Sequence, residues 1–538
     1  MKRLFFKPIL VLLLSIVLVH AQTDDYYEEV LTLGDSGIWL QFGLNIFASG
    51  DEVVIYGEEA LHCYQIDSGN WVEYQTITEP DAFIYGRRFQ FTEEYLVVGA
   101  PGNTFVYPDN SGGEVFLYKK VSGYWVPDTV LSTNDELIYE FGGDVFLDSN
   151  RIAIKAKSGT HGNFETVVYV FALDGGNWLE ETVIPNPTGS TGFGYSIAMD
   201  DDTIYIGDGN FYHDYYGEYT GIVYEYRNEG DSWNMINAIE PSSPVGESQF
   251  GTHVYKTGNL LFVGASGQNV SNDYPGYVYV FEKSGDDWVL LQLLSPNDGA
   301  HLDIFGASLT ATNNLLAVGA PANDDAGNGS GSVYIFSNLD GVWQEINKII
   351  PTDANYGDFF GDNVSMTQDF VFVSAPLKNG LEGAVYVYDP RDTSLHANFA
   401  GYVRSGNAPV TVQFTSVPQG NPTAYDWDFN SDGFVDSTEP NPQFTYQIDG
   451  IYSVTLTVYD ESGSDEEVKI DYIQVVSDIL FGDVDQSGSL DVGDLVLFVA
   501  FVLGDAEPTE DQFLSGDVNY SGQIDIIDIV MVIHEILN

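Results

Sequence analysis

An aromatic residue followed by glycine recurs seven times in this chain, at Phe42-Gly43, Tyr85-Gly86, Phe141-Gly142, Phe193-Gly194, Phe250-Gly251, Phe305-Gly306 and Phe360-Gly361, with 43 to 57 residues between successive pairs. Each pair opens the same order of parts. A short turn leads to an apolar run ending in glycine, then come a polar loop, a "VYVF"-like stretch, a glycine turn and a tryptophan. The copy that starts at Phe305 reads "FGASLTATNNLLAVGAPANDDAGNGSGSVYIFSNLDGVWQEINKI". The alternating faces and glycine-rich turns predict four short strands per unit. Four-stranded units at this period predict a seven-bladed β-propeller. The seventh unit stops after "AVYVYD" at Asp389 and lacks a fourth strand. Residues 25–33, "DYYEEVLTL", line up with "VWQEINKII" of the sixth unit. The N-terminal strand is therefore expected to complete the last blade and close the ring, which removes exposed sheet edges.

The units resemble FG-GAP repeats, the repeats of the integrin alpha-subunit propeller. "FG…VGAP" from Phe305 to Pro321 carries the resemblance, and "VGAP" recurs from Val98 to Pro101. Integrin blades that bind calcium hold an Asp-rich loop between "FG" and "GAP". Here that link is a tight turn such as Thr312-Asn313-Asn314, so those metal sites are not carried over. The most unusual loop is "DGNFYHDYYGEYTG", residues 208–221. Its Phe211, Tyr212, His213, Tyr215, Tyr216 and Tyr219 would suit a sugar ring or a protein partner. Alternatively the loop folds on its own aromatics.

Residues 396–477 change texture to alternating strands, which predicts a small β-sandwich. "YDWDFNSDG…PNPQFTYQIDGIYSVTLTVYD" resembles a polycystic kidney disease (PKD) domain through Trp427, Phe429, Gly433, Tyr446, Gly450 and Tyr452. That resemblance implies an immunoglobulin-type sandwich acting as a spacer or adhesion module. Inside it, Asp428, Asn430, Asp432, Asp436 and Glu439 follow the spacing of a calcium loop, but between two strands. Both a bound metal and an empty acidic turn fit that pattern.

The chain ends on a repeat of another kind. "GDVDQSGSLDVGDL" from Gly482 is nearly restated by "GDVNYSGQIDIIDI" from Gly516. The first loop offers Asp483, Asp485, Ser487, Ser489, Asp491 and Asp494. The second offers Asp517, Asn519, Ser521, Gln523, Asp525 and Asp528. Oxygen donors at this spacing suit a hard cation with six to eight oxygen ligands, Ca²⁺ above Zn²⁺ or Mg²⁺. Ser and Asn in place of carboxylates predict affinity toward the weaker extracellular range, with the second loop weaker than the first. Each loop runs into an apolar stretch too short to span a bilayer. The pair resembles a dockerin, the two-loop calcium module that binds cohesin domains, and the family's ligand positions fall on the residues just named. Positions 10 and 11 of the loops, which bear on partner choice in dockerins, are Val492-Gly493 and Ile526-Ile527 here.

Charge and address complete the expectation. Lys2, Arg3 and Lys7 precede "ILVLLLSIVLV" and Val19-His20-Ala21, the pattern of a signal peptide cut after Ala21. The apolar run is short for a membrane anchor. Removing that segment leaves 15 of the 18 basic residues and all 80 acidic ones. Such a balance argues against nucleic acid, whose phosphates need Lys and Arg. Cys63 is the only cysteine, so no intrachain disulfide is possible. The expected division is a signal peptide (1–21), a propeller (22–390), a PKD-like sandwich (396–477) and a small helical dockerin with two EF-hand-like loops (479–538). The chain holds no G-x-S-x-G, no H-E-x-x-H and no phosphate loop. The leading expectation is a secreted, non-catalytic, calcium-binding adhesion or scaffold protein. Its propeller would bind a protein or glycan, and its dockerin would attach it to a cohesin-type partner. The alternative is a polysaccharide-degrading enzyme with its site on the propeller face, marked by carboxylates gathered with His213 or His253 in one deep pocket.

Overall fold

The computed structural model describes residues 28–32, 42–79, 85–102, 112–133, 137–160, 163–200, 202–213, 218–230, 232–241, 248–267, 275–339, 341–391, 394–402, 404–418, 420, 422–460, 463–476, 482–487, 489–516, 518 and 523–537. Residues 1–21, the expected signal peptide, lie outside them. The chain divides into two units, residues 1–400 with 417–421, and residues 401–416 with 422–538.

The first unit is a propeller. Its described residues form seven four-stranded antiparallel sheets, numbered here as blades one to seven in chain order. Blade six is representative, with Ser308–Ala311 innermost, then Leu315–Ala320, Ser332–Leu339 and Val342–Ile349. The innermost strands of neighbouring blades touch all the way round, and Val364–Met366 of blade seven meets Ile46–Ser49 of blade one. Glu28–Leu31 pairs antiparallel with Ala384–Tyr388 as the fourth strand of blade seven.

Each repeated aromatic packs on the third strand of its own blade and against the blade before it, as Phe305 does on Val278 and Val280 of blade five. Phe305 is fully buried, edge-on to Tyr334 at 5.5 Å and Phe336 at 6.0 Å. Phe360 repeats this on Tyr386 and Tyr388 at 5.4 and 6.1 Å, and Phe250 on Tyr279 and Phe281 at 5.0 and 6.2 Å. The "VYVF" pattern is thus the receiving surface for the aromatic of the aromatic-Gly pair. The glycines are steric. A Cβ on Gly319 would lie 2.0 Å from the Gly361 carbonyl of the next blade. One on Gly331, which has φ +84°, would lie 2.0 Å from the Phe360 carbonyl.

Polar clamps join blades as well. Gln292 donates to the Trp343 carbonyl and accepts from the Trp343 amide at 2.8 and 2.9 Å, and Gln75 treats Trp125 in the same way. Glu225 of blade four is 1% exposed and receives Lys283 at 2.7 Å and Trp288 Nε1 at 3.0 Å from blade five. Glu52 of blade one receives Lys120 and Trp125 from blade two in the matching way.

In the second unit, one sheet runs Ser405–Asn407, Ser464–Val476, Gly450–Tyr459, Ala424–Asp428. Val410–Ser416 pairs with Gln443–Tyr446 in another. Trp427 is buried with Phe429 stacked at 5.6 Å, and Tyr446 donates its hydroxyl to the Phe429 carbonyl. Three helices follow, Val492–Leu503, Glu510–Gly516 and Ile526–Leu537. Val484, Phe498 and Val532 form their core. Among the described residues no helix is long and apolar enough to cross a membrane.

Candidate metal centre and channel

Asp491 caps the helix Val492–Leu503 in a reciprocal box with Asp494, and Gly504 ends it in the left-handed region. That box draws Asp494 inward until it is fully buried. Ligand-type oxygens of Asp483, Asp485 and Asp494 lie within 4.8 Å of one another, the only group of three acidic, histidine or cysteine side chains so placed among the described residues. Loop amides donate to the same carboxylates. Ser487 N donates to Asp483 and Asp485 at 2.9 and 3.0 Å, and Asp485 N donates to Asp494 at 3.1 Å. Hydrogen bonding from Ser487 holds Asp485 below the usual carboxylate range.

Gathered carboxylates repel, and burying one costs free energy unless a cation offsets it. Residues 479–538 contain twelve Asp and Glu and no Lys or Arg, so the segment has no permanent cation of its own to do so. This signal was available in the sequence. The donor set is all oxygen, which fits a hard divalent ion. In the second loop, Asp517, Asn519 and Ser521 lie outside the described residues. What is described mirrors the first loop. Asp528 is fully buried like Asp494, and Asp525 N donates to Asp528 at 2.8 Å as Asp491 N does to Asp494 at 2.9 Å.

The acidic turn of the sandwich is arranged differently. Asp428 accepts from the amides of Asn430, Asp432 and Gly433 at 3.2, 3.2 and 2.7 Å. Asp436 accepts from Phe429 N at 2.8 Å, and Asn430 Nδ2 donates to Asp432. These carboxylates, with Glu439, are not drawn into one cluster.

In the aromatic loop of blade four, Tyr212-His213 pairs with Glu218-Tyr219 as a small hairpin. Tyr212 and Tyr219 are about half exposed and edge-on at 5.1 Å. His213 Nε2 lies 3.3 Å from Glu240. Phe211 packs on the blade core and does not join an exposed surface. Tyr215 and Tyr216 lie outside the described residues.

The innermost strands enclose a channel of about 870 Å³. The two residues after each aromatic-Gly pair line it in all seven blades. Arg88 Nε lies 3.5 Å from Asp144. Burial raises the Asp144 carboxyl above its ordinary range, opposed by Arg88 and Lys155, and raises Asp362 likewise, opposed by Arg88. Burial, with a smaller contribution from Arg88, pushes His253 down to about 4 against a hydrogen bond with the Ala307 backbone. Lys155 Nζ sits 5.2 Å from the centre of the Tyr195 ring.

The FG-GAP repeat family matches residues 288–336 and 343–388, the PKD domain family residues 397–475, and the dockerin type I domain family residues 481–537. Integrin alpha-4 of Xenopus laevis is 25% identical over 232 residues, 39% of this chain and 21% of the integrin, so the chain spans about a fifth of that relative. Among solved structures, Hsv2 of Kluyveromyces lactis aligns with 74% of this chain and 94% of its own at 11% identity and TM-score 0.36. The β-propeller domain of the Trilobed protease from Pyrococcus furiosus aligns with 63% and 91% at 11% identity and TM-score 0.37. The PKD1 domain of the Vibrio cholerae metalloprotease PrtV is 33% identical over 16% of this chain and 99% of its own, with TM-score 0.14. The chain carries FG-GAP repeats, a PKD domain and a type I dockerin domain, in that order.

Proposed function

We propose that this is a secreted, calcium-dependent display protein. Its dockerin attaches it to a cohesin-type partner, its PKD domain spaces, and its propeller holds a protein or glycan ligand without transforming it. The observation that carries this is the gathering of Asp483, Asp485 and Asp494 in a segment with no Lys or Arg. Ca²⁺ at that position, with Ser487 and Ser489 as further oxygen donors, would offset the repulsion and fix the start of the helix. The helices then present Val492, Val496, Val499 and Leu503, and Ile526, Val530 and Met531, all exposed, as apolar surface for a partner. The PKD turn around Asp428 is left as a hydrogen-bonded turn in this reading.

The test is binding of the purified full chain to a panel of purified cohesin domains, with Ca²⁺ and with EDTA. Capture is expected only with Ca²⁺, and a chain carrying Asp494→Ala with Asp528→Ala should lose it. Capture that ignores EDTA, or none on any cohesin, overturns the reading.

One observation favours a second reading, a glycan-active enzyme. The channel brings raised carboxylates on Asp144 and Asp362 into one cavity with His253. Release of new reducing or unsaturated ends from a polysaccharide, abolished by Asp144→Asn or Asp362→Asn, would establish it in place of simple binding.

A further inference from the structure

The channel's charge is unlike the rest of the molecule. The protein carries a formal net charge of −62. The channel lining nevertheless holds three carboxylates, Asp144, Asp148 and Asp362, and three cations, Arg87, Arg88 and Lys256. The lining is polar and balanced where the surface at large is strongly acidic. Its volume falls within the range of small-molecule sites, roughly 300 to 1,000 Å³.

Four of the six charged groups, Arg87, Arg88, Asp144 and Asp362, lie at one end, while Asp148 and Lys256 lie at the far ends of their strands. Each innermost strand starts just after an aromatic-Gly pair, and the strand beside it runs antiparallel, so the loop after that second strand emerges at the same end. Pro101 and Ser266, which begin such loops, also line the channel. Arg88, Asp144, Tyr195, His253 and Asp362, each within two residues of an aromatic-Gly pair, therefore ring the mouth on the face that bears the aromatic hairpin Tyr212–Tyr219.

We propose that this mouth binds the end of a neutral oligosaccharide. Sugar hydroxyls both donate and accept, so one hydroxyl group can bridge a carboxylate such as Asp144 and the Arg88 guanidinium, giving the stronger charge-assisted bonds. With Arg87 beside Arg88, two cations meet the two carboxylates Asp144 and Asp362 at this end, so the ring keeps no net charge to attract an anion. Tyr195 is 49% exposed and offers ring surface for the apolar face of a pyranose beside its Lys155 contact. His253 stays uncharged at neutral pH, and with one ring nitrogen hydrogen-bonded to the Ala307 backbone it leaves the other for a sugar hydroxyl. The proposal deepens the display reading by naming where and what the propeller holds.

The test is calorimetric titration of the full chain with cello-, xylo-, manno- and malto-hexaose, and with an oligogalacturonate as the charged comparison. At least one neutral hexaose should bind. Arg88→Gln and Tyr195→Ala, both at exposed side chains, should each weaken it ten-fold or more with the thermal melt unchanged. The hairpin variant Tyr212→Ala with Tyr219→Ala should bind as the parent does. Binding of the oligogalacturonate alone, no binding of any hexaose, or binding that survives both channel variants overturns the proposal. Each variant is tested in parallel for Ca²⁺-dependent cohesin capture, so failure of the channel and failure of the display reading remain distinguishable.

Discussion

Two buried aspartates at matching positions of neighbouring blades are satisfied by different residues. In blade six, Asp303 is 2% exposed and accepts from Asn323 Nδ2 at 3.2 Å and from the Ala300 amide at 2.8 Å. In blade seven, Asp358 is 4% exposed and accepts from the Asn355 amide at 2.8 Å, while Lys378 takes the place of Asn323 at 2.9 Å. Burial raises both carboxyls above their ordinary range despite these partners. Removing the lysine charge strands a buried carboxylate, which costs on the order of 3–5 kcal/mol. Lys378→Met should therefore lower stability in urea unfolding by about that much, and Lys378→Asn, which copies blade six, by clearly less. His253 makes a pH prediction. Its folded value of about 4 lies below the 6.5 of a free imidazole, so the unfolded chain takes the proton first. Its contribution to stability is complete above about pH 6.5 and is lost as pH falls toward 4. Asp144 and Asp362 act in the opposite sense, because their raised carboxyls gain protons earlier when folded. The difference in melting temperature between parent and His253→Gln isolates the histidine: it should change between pH 6.5 and 4 and stay constant above pH 7.

At the scale of the element, the blade is a device for bringing backbones together. Gly99, Gly207, Gly264 and Gly319 are the next-to-last residues of the second strands, and a Cβ on any of them would lie 2.0–2.3 Å from the carbonyl of the next blade's Gly142, Gly251, Gly306 or Gly361. Real Cβ atoms do not approach so closely, so each pair excludes side chains on purely steric grounds. Gly319→Ala should cost about 1–3 kcal/mol as an overpacking change, read by urea unfolding. Gly341→Ala, at a hairpin turn with nothing within 4 Å but φ +88°, should cost less and through backbone strain alone. This explains why the propeller was legible in the sequence. The aromatic-Gly pair, the next-to-last glycine of the second strand and the "VYVF" stretch are mutually dependent parts of one contact, so all recur together. The gathering of Asp483, Asp485 and Asp494 was legible for a similar reason, because these carboxylates are close in sequence. Of the channel mouth only His253 was singled out in the sequence. Arg88, Asp144, Tyr195, His253 and Asp362 follow the repeated pairs, but their identities do not repeat, and only closure of the ring brings them together. Phe211 was misleading in a smaller way, since its loop context suggested display where its ring has core to cover.

At the scale of the whole molecule, the two repeats separate two kinds of stability. The propeller unit is held by aromatic and steric contacts between blades, by clamps such as Gln292 with Trp343, and by buried ion pairs such as Lys283 with Glu225. None of these uses a metal, and the turns between its first and second strands leave no room for a calcium loop. The dockerin has a small core, Val484, Phe498 and Val532 with partly buried neighbours, and a gathered carboxylate site with no permanent cation. A ligand that binds only the folded state stabilises by RT ln(1 + [L]/Kd), about 2.7 kcal/mol at a hundred-fold excess over Kd. That increment is large for so small a core and falls on one part of the chain only. Scanning calorimetry of the full chain should therefore show separate transitions. Adding EDTA should shift or abolish the one that an Asp494→Ala chain also lacks, and leave the propeller transition within a degree or so. A propeller transition that moves by many degrees on chelation would show that the blades hold calcium too, and that stability is not divided in this way.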